Sequence, residues 1–117
     1  MARVEQVLAR VYVDDLDTAL PLYERLAEGA PVRRFSFRAV ELAWVGPFLL
    51  LAGTPADLAP IRDRAATVLV DDVEAVAAEI TAAGGELLEG PAAAPNGMRL
   101  IARHPDSTVF EYLKIGR

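Results

Sequence analysis

The chain has 117 residues, of which 53% are hydrophobic and 25% charged, and it contains no cysteine. It can bury a core of its own and is too apolar for intrinsic disorder, and disulfides, thiolate chemistry and cysteine-held metals are excluded. Seventeen acids against twelve bases leave a net charge of −5, without the basic footprint that nucleic-acid binding needs. The longest apolar run, Phe48–Ala52, falls far short of the roughly 20 residues that span a bilayer. Glu5 interrupts the start where a signal peptide would be apolar. A soluble, cytoplasmic domain without nucleic-acid or membrane partners is expected.

The first strand-like run ends at Val11-Tyr12-Val13 and meets Asp14-Asp15. Leu16, Ala19, Leu20, Tyr23, Leu26 and Ala27 then follow the spacing of an amphipathic helix. Pro21 lies inside that pattern and predicts a kink or a late helix start. Three β-like runs follow over 32–37, 40–45 and 48–52, with Gly46-Pro47 as the turn between the last two. Residues 55–64 read as a connector holding a short helical turn at 56–58.

The next segment repeats the first. Val68-Leu69-Val70-Asp71-Asp72-Val73-Glu74 lines up with Val11-Tyr12-Val13-Asp14-Asp15-Leu16-Asp17, with both valines and both aspartates identical. Val73, Val76, Ala77, Ile80 and Ala83 mark a second helix, which Gly84-Gly85 stops. Strands are predicted over 86–89, 98–103 and 108–115, with His104-Pro105-Asp106-Ser107 as a turn. Both halves read β-α-β-β-β. The expected fold is α+β: a single domain of two tandem modules (4–54 and 65–115, joined by 55–64). Their paired curved mixed sheets would enclose a cleft, with the helices outside.

The repeated Val-x-Val-Asp-Asp segments, together with Leu22-Tyr23, Gly97-Met98-Arg99, His104-Pro105-Asp106-Ser107 and Val109-Phe110-Glu111-Tyr112, resemble the vicinal oxygen chelate superfamily. That group includes glyoxalase I, bleomycin-resistance proteins and extradiol dioxygenases. The resemblance covers roughly 4–115, and it implies the paired-module fold rather than one reaction. Enzymes of the superfamily hold a divalent metal with four side chains. The corresponding positions in this chain are Leu8, Leu50, Ala65 and Glu111, and only Glu111 carries a donor atom. A one-residue slip to Val7, Ala9, Leu49 or Ala66 supplies none. Catalytic metal sites generally need about three protein ligands, so no metal and no other cofactor is expected.

The remaining cleft residues follow from alternation along the strands. If Leu8 faces inward, so do Arg10 and Tyr12; Phe48 and Ala52 accompany Leu50, and Val109 and Leu113 accompany Glu111. Phe35, Phe37 and Trp44 are candidates from the middle strands, and Arg99 from the far wall. Such a cleft suits a planar, partly hydrophobic small molecule with a polar or anionic handle. Plain packing competes for the aromatic residues and for Tyr23, and Asp14, Asp15, Asp71 and Asp72 fit helix caps better than catalytic carboxylates. His104 reads as a solvent-facing turn residue. Glu111 is either a structural partner of Arg10 or Arg99 or a functional group.

Two functions compete. One is a metal-free binding protein that sequesters an aromatic or antibiotic-like ligand, as superfamily members without the metal quartet do. The other is a metal-independent lyase or isomerase with Glu111 as general acid or base. The resemblance also implies a homodimer.

Overall fold

In the computed structural model, which describes residues 2–116, β1 (Val4–Val13) leads into α1 (Leu16–Leu26). Asp15 holds an extended backbone between them, and its carboxylate accepts the Thr18 amide at 2.9 Å, satisfying one of the N–H groups that a helix start leaves open. The helix is continuous from that cap, so the late start expected from Pro21 does not occur. Pro21 and Asp17 are both exposed, so water can reach the turn in which the proline ring removes an N–H donor.

After α1 come β2 (Val32–Phe37), β3 (Val40–Val45) and β4 (Phe48–Ala52), with the bounds expected from the sequence. The connector holds α2 (Pro55–Leu58), capped by Thr54, and a 3-10 turn over Ala59–Ile61. The second half contains β5 (Thr67–Val70), α3 (Val73–Ala82) capped by Asp72, β6 (Glu86–Ala94), β7 (Gly97–Arg103) and β8 (Val109–Ile115). The class is α+β. Among the described residues no helix is long and apolar enough to cross a membrane.

The chain divides into two compact units, Leu8–Asp63 and a second that joins the residues up to Val7 with the chain from Arg64 onward. In the first, strands run in the order β2-β3-β4-β1, antiparallel except for the parallel pair β1/β4. In the second the order is β6-β7-β8-β5, with β5/β8 as the parallel pair. A parallel pair in each unit follows from the sequence, because the helix after the first strand carries the chain back before the strands that return by turns. The core of the first unit gathers Leu16 and Leu20 of α1 on Ala43, Val45, Leu50 and Ala52. That of the second gathers Val73, Val76, Ala77 and Ile80 of α3 on Val68, Val70, Leu100, Ala102 and Tyr112.

β6 differs most from expectation. It runs nine residues rather than four, through Gly90-Pro91. As the outer strand of its sheet it needs no donor on its free edge, which is where proline is tolerated. Its pairing with β7 shifts register on both sides of Glu89. Gly90 allows this: its φ is +81°, and a Cβ there would stand 2.5 Å from the Arg99 carbonyl oxygen.

Candidate functional site

Each helix claims one face of its sheet, and alternation assigns the rest. In the first unit Leu50 is fully buried beneath α1, with Phe48, Val11 and Val13 beside it. The ring of Phe48 meets Tyr23 of α1 edge-on at 5.0 Å. Phe48, Leu50 and Ala52 therefore belong to the helix-side core and not, as the resemblance for Leu50 and alternation from it implied, to the opposite face. The register gives the reason. Val11 pairs with Leu50 while Arg10 pairs with Leu49, so Leu49 is the residue that shares a face with Arg10 and Tyr12. Leu8 lies on that face too and is buried. Phe35 pairs with Leu42, Phe37 with Val40 and Trp44 with Leu49, which puts these three aromatics on the same side.

Arg10 and Tyr12 share a partner. The Arg10 Nε donates to the Tyr12 hydroxyl at 2.9 Å, and both side chains donate to the carbonyl of Ile61, at 3.2 and 3.0 Å. The Arg62 guanidinium lies over the Tyr12 ring, 4.5 Å from its centre. These contacts tie the connector to β1. The Trp44 indole N–H donates to the Gly46 carbonyl at 2.8 Å. A hollow of about 200 Å³ lined by Leu16, Arg34, Phe35, Ser36, Glu41 and Leu42 is smaller than most ligand pockets.

In the second unit the face turned away from α3 carries a chain of charged groups. Glu111 lies opposite Thr67 in the β5/β8 register and accepts its hydroxyl at 2.7 Å. The other Glu111 oxygen accepts Arg99 Nε at 3.0 Å, and Arg99 Nη1 reaches Glu89 at 3.0 Å. The second Glu89 oxygen stands 3.3 Å from Arg64 Nη2. Glu111 and Arg99 are mostly buried, at 15% and 18% side-chain exposure, and Arg64 is more so, at 6%; Glu89 is 52% exposed. Ala65 is exposed and precedes β5, so Thr67, not Ala65, is the residue that meets Glu111. The repeat contained that signal, since Arg10 and Thr67 each stand one residue before the matched valines Val11 and Val68. Arg64 and Glu89 had no local signal, because their meeting depends on the path of β6.

His104 is not a free turn residue. It is half-buried, its Nε2 shares a 2.6 Å hydrogen bond with the Tyr112 hydroxyl, and its ring stacks on Tyr112. Burial pushes the Tyr112 hydroxyl above its ordinary value of 10.0. Tyr112→Phe is expected to cost about 1 kcal/mol at neutral pH by removing this bond. A group raised on folding contributes fully below its unfolded pKa and loses that contribution as pH rises through the folded one. Urea denaturation should therefore show the wild type losing stability above pH 10.0 more steeply than the variant.

The donor set does not fit the metal that the resemblance noted in the sequence implies. The positions that the resemblance implies, Leu8, Ala65 and Glu111 together with Leu50 or its neighbour Leu49 on the Arg10 face, hold one donor among hydrocarbons. Among the described residues no three His, Asp or Glu side chains come together to hold a cation. Asp15 and Asp72 cap helices, and Asp71 accepts the Arg3 amide at 2.7 Å.

A crystal structure of an uncharacterized protein from Methanosarcina mazei matches 97% of this chain and 94% of its own, with a TM-score of 0.92 and 37% sequence identity. The chain belongs to the family of that protein. The fold of this family extends to enzymes. Methylmalonyl-CoA epimerase from Mycobacterium tuberculosis matches with a TM-score of 0.69 and 16% identity over 97% of this chain and 90% of its own. An epimerase variant from Streptomyces coelicolor in complex with 2-nitronate-propionyl-CoA matches with 0.69 and 20% over 98% of both chains. At these identities the likeness is one of fold. No protein-family model and no curated protein matches the chain.

Proposed function

We propose that this chain is a metal-free member of the vicinal oxygen chelate superfamily that binds a small organic molecule, of the aromatic or antibiotic-like kind, and does no chemistry on it. The observation that carries the reading is the replacement of chelating side chains by Leu8, Leu49 and Ala65, which leaves Glu111 as the one donor. That carboxylate is already engaged by Thr67 and Arg99. The proposed binding residues are those turned away from the helices: Leu8, Arg10, Tyr12, Phe35, Phe37 and Trp44 in one unit, and Arg99 and Glu111 in the other. The working form is proposed to be a homodimer.

A thermal-shift screen of aromatic natural products in the presence of EDTA tests this. A true ligand at about 100 times its dissociation constant adds about 2.7 kcal/mol of stability. A screen in which nothing stabilises the protein unless a divalent cation is supplied would refute it.

The fold likeness to epimerases favours a second reading, a metal-independent lyase or isomerase with Glu111 as general acid or base. Glu111→Gln separates the two. A binder keeps its affinity for a neutral ligand, whereas an enzyme keeps binding and loses turnover.

A further inference from the structure

The geometry points to an anion site on the paired guanidiniums of Arg64 and Arg99, which takes the carboxylate of a ligand in place of Glu89. It rests on the binding reading above and adds the chemical class of the guest.

Arg99 divides its donors between two carboxylates of different character. Its Nε serves Glu111, which is 15% exposed and is also held by the Thr67 hydroxyl. Its Nη1 serves Glu89, which is 52% exposed. Glu89 spans two guanidiniums, one oxygen on Arg99 at 3.0 Å and the other on Arg64 at 3.3 Å. A carboxylate bridging two arginines that are themselves 6% and 18% exposed occupies the position a bound acid would take. Two structural features make Glu89 the exchangeable member. It stands on the outer strand of its sheet, and the ladder to β7 is broken on both sides of it. Of the two carboxylates on Arg99, Glu89 is the more exposed and so the less costly to release into water. With Glu89 turned out into water, a ligand carboxylate and Glu111 leave the two guanidiniums facing two negative charges, as before.

Benzoate and its neutral isostere benzamide are the probes, titrated into the full chain while the arginine Nε–Hε signals are followed by NMR. Benzoate should shift the Arg99 signal and benzamide should not. Removing the competitor with Glu89→Gln is expected to tighten benzoate binding about tenfold, and Glu89→Asp, which keeps the charge but shortens the reach, about threefold. Adding Arg64→Gln to Glu89→Gln should abolish the gain. Benzoate affinity unchanged within twofold in both Glu89 variants would overturn the site, as would equal binding of benzamide. Natural products that bind while the Glu89 variants leave benzoate unaffected would refute the anion site alone. Benzoate seated as described, in a protein that no natural product stabilises, would uphold the anion site and refute the broader reading.

Discussion

Leu50→Ala is expected to cost about 3–4 kcal/mol of folding stability, and Leu50→Glu to abolish folding of its unit. Leu50 has no exposed surface and packs with Leu16 and Leu20 of α1 on Ala43, Val45 and Ala52. Truncation leaves a void that α1, also anchored by Ala19 and Tyr23, closes only in part. A carboxylate at the same position would meet hydrocarbon on the helix side of the sheet. Chemical denaturation of the alanine variant and soluble yield of the glutamate variant check this. A well-folded Leu50→Glu protein would show instead that Leu50 faces a polar or open space, as a former metal-ligand position would.

Arg99→Ala is expected to destabilise the chain by about 2–3 kcal/mol, below the figure for a fully buried pair because Arg99 and Glu111 keep some contact with water. The loss arises less from the missing attraction than from Glu111 left without its guanidinium in a mostly dry position. Restoring neutrality should therefore recover much of it. The double variant Arg99→Met/Glu111→Leu is expected to be more stable than Arg99→Ala, and urea denaturation of that double variant and its two single variants gives the coupling. A cost under about 1 kcal/mol for Arg99→Ala would place the pair with ordinary surface ion pairs.

Much of this fold can be read from the chain because local and repeated signals agree. Asp15 and Asp72 stand at matched places after matched strands, and each caps a helix whose apolar spacing is plain. The strands of the first half have clear turns at Gly46-Pro47 and keep their expected bounds. The part of β6 beyond Glu89 was hidden because Gly90-Pro91 argues against a strand, and only pairing with β7 on an outer edge overrides that preference. The candidate site was legible as a set of residue types but not as a register. The resemblance put Leu50 on the cleft face where the register puts Leu49, and a one-residue slip reverses every side chain on a strand. Pairing Arg10 with Leu49 and Thr67 with Glu111 corrects it. The Arg64–Glu89–Arg99 chain needed three separate segments to be brought together, which no spacing in the sequence encodes.

Cobalt(II) titration of the protein, followed by visible absorption and calorimetry, most directly tests whether the chain holds a divalent cation at the positions that the resemblance implies. Hydrocarbon side chains at three positions predict no stoichiometric site, with a heat and spectrum no different from those of Glu111→Gln. One equivalent of cobalt bound at micromolar affinity, and lost in Glu111→Gln, would contradict the account.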